Sequence, residues 1–296
     1  MKRFFILALM TVSVVVVYGQ ILYSISGNGL KKPSYIIGTH HLTDAKFLDQ
    51  VPGIDKALKN TKQVYGELKM ADMTNPDTLK MMQTMMMFQD GTSIKDWLSA
   101  DDYEKLNKVF ETLAGVRFDN PMIFEAMGKM RPSAIETQIT VFAYMKSHPM
   151  AFDPLNGLDG YIQKQAKQTY GLESYEFQAK LLYRSENIDD EVRSLICTIN
   201  NIDELQIGLE KLTEAYKAQD VEMIEKVMNT SRESKCSNPE ATEKLIEIRN
   251  KNWIQQMPAI MKKNPTFFVV GAGHLFGERG VLQMLKDAGY TINPVK

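Results

Sequence analysis

Apolar and polar positions divide the chain into segments of period two and segments of helical period. Ile21 to Ser26 alternates, Gly27-Asn28-Gly29 supplies turn chemistry, and Tyr35-Ile36-Ile37 returns as a second apolar run, so the pattern predicts a β-hairpin. Leu48, Val51, Ile54 and Leu58 fall at helical spacing across 48–60, and Gln63 to Leu68 then reads as a strand with Glu67 near its end. The strand, helix, strand order from Tyr35 to Leu68 predicts a βαβ unit, a parallel pair joined by a right-handed crossover. Residues 75–155 carry little strand signal. Helices are expected over Ile94–Leu113 and Pro121–Met145, with Ser99 as an N-cap, and the block reads as a helical insertion or cap.

The second half alternates helix and strand. Tyr161 to Gln168 predicts a helix, Thr169 to Glu173 a short strand ended by Glu173, and Ser174 to Tyr183 another helix. A longer helix is expected over 203–227, where Leu205, Leu209, Leu212 and Tyr216 form an apolar stripe. Asn238 and Pro239 have the chemistry of a cap and a first helical position. The helix they open carries Leu245, Ile248, Arg249, Asn250, Trp253 and Met257, and Pro258 is expected to interrupt it. Thr266 to Val270 is a β-branched and aromatic run that stops at Gly271-Ala272-Gly273-His274, followed by a helix over Val281–Ala288 and a last strand over Tyr290–Val295. The fold class these elements imply is α/β: a central mixed, partly parallel β-sheet flanked by helices, with a mostly helical insertion.

Composition adds boundaries. The 296 residues are 44% hydrophobic and 24% charged, ordinary for a globular chain, and one domain over 20–296 is expected. Formal net charge is −1, with no basic stretch interleaved with aromatics, which argues against a nucleic-acid partner. Lys2 and Arg3 precede an apolar run from Phe4 to Val17 and then Tyr18-Gly19, the pattern of a signal peptide over residues 1–19. Export to a periplasmic or extracellular location follows as the expectation, with membrane association if the segment stays uncleaved. No second stretch is long enough for a span. Cys197 and Cys236 are the two cysteines of the mature chain, and a disulfide or two buried thiols are equally compatible with the sequence. The Met-rich stretch from Met70 to Met87 could offer thioethers to Cu(I), but the interleaved Leu79 and Phe88 favour flexible core filling.

Candidate chemistry centres on the histidines. Of the four, His40 and His41 follow one strand-ending Gly (Gly38) and His274 another (Gly271), which presents a ring at a rim instead of in a core. A catalytic metal takes about three protein ligands and an open position. His41, His274 and a carboxylate would supply them, with Glu67 first and Glu173 second. Rim histidines engaged only in structural hydrogen bonds are the competing reading. No H-E-x-x-H helix and no G-x-S-x-G elbow occurs. Gly271-Ala272-Gly273 with Gly277 imitates a dinucleotide loop, but its last Gly is one residue late, leaving phosphate binding as a weaker alternative. Arg249 could clamp a carboxylate, although an ordinary solvated arginine on an amphipathic helix is favoured by the pattern alone.

With these residues assembled, the chain resembles the TraB/GumN family, related to the Tiki proteases. The resemblance is carried by ILYSISGNG, SYIIGTHHL, VYGEL, GLDGYIQKQAKQTYGLESYEFQ, RNKNW and FFVVGAGHLFGERGVLQMLKDAGYTINPV. It implies an α/β fold shared with erythromycin-esterase-like and ChaN-like proteins. Through its Tiki branch it also implies metal-dependent proteolysis with a divalent ion such as Mn²⁺ or Co²⁺; Zn²⁺ is a further candidate, and the identity of the metal is open. Carried over, the family positions are Gly38, His41, Gly271, His274 and Glu67, with Arg249 and Asn250 as an Arg-Asn pair and Glu173 with Gln178; His40 and Gly273 complete the two motifs. The expectation is therefore an exported metal-dependent hydrolase, a peptidase acting on a peptide or protein. His41, His274 and Glu67 would surround the ion, with Glu67 or Glu173 as general base and Arg249 assisting. A non-hydrolytic protein binding haem or another iron ligand, as the ChaN resemblance permits, and a non-catalytic interaction module are the alternatives.

Overall fold

The computed structural model describes residues 20–149 and 157–296, so the signal-peptide reading of residues 1–19 lies outside the described residues. In chain order the elements are β1 (Leu22–Gly27), β2 (Ser34–Thr39), α1 (Ile54–Asn60), β3 (Gln63–Gly66), α2 (Pro76–Met86), α3 (Ala100–Ala114), α4 (Pro121–Met127), α5 (Pro132–Ser147), α6 (Leu158–Lys164), β4 (Thr169–Gly171), α7 (Tyr175–Tyr183), α8 (Ile188–Asn200), α9 (Ile202–Lys217), α10 (Val221–Arg232), α11 (Pro239–Thr242), α12 (Arg249–Lys263), β5 (Thr266–Gly271), α13 (Val281–Asp287) and β6 (Tyr290–Pro294).

The strands form one mixed sheet in the order β4-β3-β5-β2-β1-β6. β4, β3, β5 and β2 run parallel to one another, and β1 is antiparallel to both β2 and β6. This is the expected α/β class with a mixed, partly parallel sheet. The hairpin between β1 and β2 forms as predicted, with Gly27, Asn28 and Gly29 all at positive φ. One expectation is corrected. β2 and β3 are not neighbours, because β5 lies between them and pairs with both. The reason is legible in β5 itself, whose six residues are all buried: Phe267 and Val269 enter the core on one face, Phe268 and Val270 the core on the other. A strand apolar on both sides gains most from the middle of a sheet.

One face is covered by α1, α6, α9 and α10 through Ala57, Ile162, Tyr216 and Ile224; the other by α12 and α13 through Trp253, Met257 and Leu285. The remaining helices build a core of their own, in which Phe110, Phe118, Ile135, Ile139 and Leu195 are fully or almost fully buried. That helical layer draws on two stretches of chain, α3 to α5 and α8 with α9, packed on each other. Met81, Met82, Met85 and Met86 pack beside it around Ala134, Ala179 and Tyr183, the core-filling use of Met.

Further boundaries differ from the pattern, among them the expected Pro121–Met145 helix, which divides into α4 and α5 ahead of Pro132. Over 48–60 the helix is α1 preceded by a 3-10 turn, Ala45–Gln50, because Pro52 and Gly53, the latter at φ 75°, divide the two. Over 203–227 the chain breaks into α9 and α10 at Gln219, at φ 53°, where the Asp220 side chain caps α10 by accepting from the Met223 amide. Pro258 does not end its helix: α12 runs on to Lys263, with Met257 and Met261 buried against the sheet on either side of it. Burial of that face outweighs the one hydrogen bond a proline removes. Cys197 and Cys236 form a disulfide, joining α8 to the segment ahead of α11. No helix among the described residues is long and apolar enough to cross a membrane.

Candidate functional site

Each of the four parallel strands delivers a polar residue just past its carboxyl end: β2 gives His41, β3 gives Glu67, β4 gives Glu173 and β5 gives His274. In a sheet of this kind the crevice beyond those ends is where ligands bind. Pairing of β2 with β5 sets Thr39 opposite Gly271, so the two Gly-x-x-His turns leave the sheet side by side. Beyond β3 and β4 the pairing continues, the Leu172 amide donating to the Gly66 carbonyl and the Glu173 amide to the Glu67 carbonyl, which sets the two glutamates next to each other.

The histidines converge on one oxygen. His41 Nε2 lies 4.0 Å and His274 Nε2 3.8 Å from Glu67 Oε1. The opposite nitrogen of each ring is held by a separate acceptor. His41 Nδ1 is 3.0 Å from Asp159 Oδ2, and the Thr39 hydroxyl donates to Asp159 Oδ1 at 3.1 Å. His274 Nδ1 is 2.8 Å from Asn250 Oδ1, while the Asn250 amide group donates to the carbonyls of His274 and Arg279. Those two donations fix which way the Asn250 side chain faces, so His274 carries its proton on Nδ1 and presents a lone pair at Nε2.

Beneath both rings, Glu67 accepts from the Gly271 amide at 2.7 Å, from Gln178 at 3.2 Å and from Arg249 Nη2 at 2.5 Å. Burial opposes its ionisation, but His274, His41, Arg249 and the Gly271 amide hold its carboxyl down at about 2. His274 is pushed down to about 3 by burial and by the Arg249 guanidinium, against the pull of Glu67, and is neutral at ordinary pH. His41 goes the other way. Burial works against its charge, yet Asp159 and Glu67 raise it to about 9. With 58% of that side chain open to solvent, water screens both carboxylates.

Arg249 corrects the solvated reading of its pattern. It is buried, at 5% exposure, with Nε donating to Glu173 at 2.9 Å and Nη2 to Glu173 Oε1 at 2.6 Å. It leads off α12 directly after a π-helical segment, Glu243–Ile248, a register that often marks functional positions. Glu173 is fully engaged, accepting from Gln178 at 3.0 Å and from the Trp253 indole at 3.1 Å besides Arg249.

Gly38 and Gly271 are required by close approach. A Cβ on Gly38 would lie 2.8 Å from Leu275 Cδ1 and 3.1 Å from Ala272 Cα, and one on Gly271 would lie 3.0 Å from His41 Nε2 and 3.2 Å from Glu67 Oε1. A Cβ on Gly273 would sit 2.7 Å from Met228 Cε, so this glycine serves packing of α10. His40 turns away from the site into the core between Tyr144 and Tyr216, where burial and the charge of His41 lower it to about 4. The rim expectation therefore holds for His41 alone; His274 and His40 are buried. Sequence reasoning gave no role to Asp159, Thr39 or Trp253. Asp159 stands in the Gly157-Leu158-Asp159-Gly160 run, in the first turn of α6, where an acidic residue is ordinary helix chemistry.

Among the described residues no group of three or more His, Cys, Asp or Glu has the compact spacing of a metal shell. The donor set nonetheless fits a divalent ion chemically: two imidazole nitrogens and a carboxylate oxygen face one spot, each ring is fixed from behind, and Gly271 keeps that spot clear of a Cβ. A cleft of about 770 Å³, lined by Glu225, Arg232, Glu243, Phe276 and Arg279 among others, borders the turn after His274.

The model of the TraB/PrgY/gumN family matches residues 21–294. The chain belongs to this family. Among the proteins it is similar to, Metalloprotease TIKI2 of Xenopus tropicalis is 23% identical over 308 residues, 88% of this chain and 57% of the relative. Metalloprotease TIKI1 of Homo sapiens is 24% identical over 308 residues, covering 88% and 59%. Metalloprotease TIKI homolog of Nematostella vectensis is 22% identical over 321 residues, covering 89% and 65%. The chain thus spans less than two thirds of the length of these curated relatives. No solved structure matches.

Proposed function

We propose that this chain is a metal-dependent hydrolase acting on peptide bonds, with its site at the ends of β2, β3 and β5. The observation that carries the reading is the convergence of His41 Nε2 and His274 Nε2 on Glu67 Oε1, at 4.0 and 3.8 Å. The relatives' printed name, metalloprotease, supports a divalent ion and a peptide or protein substrate. His41 Nε2, His274 Nε2 and Glu67 Oε1 would hold the ion, Mn²⁺, Co²⁺ or Zn²⁺ by donor type. Such an ion supplies Lewis acidity, acidifying water and polarising a carbonyl.

The protein's own groups set orientation and charge. Asp159 and Asn250 keep the two Nδ1 protons away from the site, so that both Nε2 atoms are directed inward. Glu67, held anionic, is the carboxylate of the site. Glu173 is the counter-ion that fixes Arg249 and leaves no oxygen open for base chemistry. The apolar stretch at residues 1–19 supports export as the setting for this activity.

Purified protein supplied with Mn²⁺, Co²⁺ or Zn²⁺ is expected to cleave a peptide library, with His41→Ala and His274→Ala each abolishing cleavage. Equal cleavage by wild type and either variant sinks the assignment.

A further inference from the structure

A guanidinium has five N–H donors, and every one on Arg249 is taken from within the protein. Nε donates to Glu173, Nη1 to the Leu245 carbonyl at 3.1 Å and to His274 Nε2 at 3.0 Å, and Nη2 to Glu67 Oε2 and Glu173 Oε1. No donor remains to clamp a substrate carboxylate. The ring it meets has a single lone pair, at Nε2, because Asn250 holds the proton on Nδ1. One lone pair serves one partner at a time. The same guanidinium also neutralises Glu67, the carboxylate that both histidines face.

Resting on the reading that His41, His274 and Glu67 hold a divalent ion, we propose that Arg249 is an internal cation competing with that ion for His274 Nε2 and Glu67. Ion entry is then an exchange: Nη1 gives up His274 and the guanidinium withdraws onto Glu173, which grips it through both Nε and Nη2. Glu173, Gln178 and Trp253 form the berth that keeps Arg249 in place after the exchange, with Gln178 bridging Glu67 Oε2 and Glu173 Oε1 at 3.2 and 3.0 Å. Affinity for the ion is thereby set by a residue that does not ligate it.

The test removes the competing cation together with one of its two buried counter-ions, so that of the pair only Glu67 keeps its charge, for the entering ion to neutralise. Co²⁺ is titrated into wild type and into the double variant Arg249→Met with Glu173→Gln, followed by visible absorbance and calorimetry, with far-UV circular dichroism as the check of folding. The variant is expected to bind Co²⁺ roughly tenfold tighter or more, since the His274 lone pair is freed and the guanidinium in contact with both ligands is gone, although the Glu173 charge goes with it. Equal or weaker binding by the folded variant, with wild-type binding still lost in His41→Ala, overturns the competition and leaves the metal reading standing. Absence of Co²⁺, Mn²⁺ and Zn²⁺ binding in every form removes both. A measurement on wild type alone keeps the proposal falsifiable if the variant does not fold. On saturation with diamagnetic Zn²⁺, ¹⁵N spectra must show the Arg249 Nη1 protons losing their protection while Nε–H stays protected. Unchanged Nη1 signals beside a shifted His274 Nε2 overturn it.

Discussion

The two strand-end motifs share a pattern and differ in almost everything the pattern does not specify. Gly38-Thr39-His40-His41 places an exposed ring against a carboxylate and raises it to about 9; Gly271-Ala272-Gly273-His274 places a buried ring between an amide and a guanidinium and lowers it to about 3. The same Gly-x-x-His spacing thus yields one histidine whose protonation is favoured and one whose protonation is disfavoured, on adjacent parallel strands. The difference comes from residues remote in sequence: Asp159 on one side, Asn250 and Arg249 on the other. A motif fixes where a side chain leaves the sheet, and its neighbours in space fix its protonation.

The largest expected effect breaks the His274 side. Arg249→Met alone leaves Glu67 and Glu173 buried without their cation, and urea unfolding is expected to show a loss of about 3–5 kcal/mol. His41→Ala, at the exposed motif, should cost less than about 1 kcal/mol. Similar costs for the two would erase the contrast between a buried and an open half.

Next is the contrast inside the first motif, where His40 and His41 are neighbours with opposite shifts. His40 is held at about 4 against an ordinary value of 6.5, so its contribution is intact above pH 6.5 and disappears as pH falls through about 4. Unfolding followed along that window is expected to lose about 3 kcal/mol through this group, and His40→Leu should flatten that limb. A variant as acid-sensitive as wild type would mean His40 is not held neutral.

The glycines sharpen the comparison further. Gly38→Ala forces a Cβ against Leu275 and the Ala272 backbone and is expected to cost about 1–3 kcal/mol in a urea melt. Gly271→Ala meets the movable His41 ring, so it should cost less stability while weakening Co²⁺ binding. The reverse order of stability losses would contradict the packing described here.

The smallest effect is at Asp159. Asp159→Asn should return His41 from about 9 towards 6.5 in an NMR titration. His41 has a raised value, so its stabilisation is complete below pH 6.5 and lost as pH rises through about 9. With the ring 58% exposed, less than about 1 kcal/mol is expected at neutral pH. An unmoved titration would remove Asp159 as the cause.

Much of the fold was legible because it rests on local chemistry. The Gly27-Asn28-Gly29 turn, the Asn238 cap and the apolar run of β5 each follow from a few adjacent residues. Where the pattern misled, a distant contact decided: β5 entered between β2 and β3, and α12 continued through Pro258 because Met257 and Met261 were buried. Arg249 read as a solvated arginine for the same reason, since both of its carboxylate partners arrive from other strands.

By itself the sequence determined that two strands end in Gly-x-x-His, that two others end in glutamate, and that the class is α/β, because strand period and glycine punctuation are properties of neighbouring residues. Only the tertiary structure decided that all four ends meet, that Asp159 and Asn250 fix the rings, and that Arg249 takes the His274 lone pair. Hydrogen bonds and ion pairs depend on distances of a few ångströms between groups remote in the chain, 204 residues apart in the case of Glu67 and the Gly271 amide, and no local pattern encodes those distances.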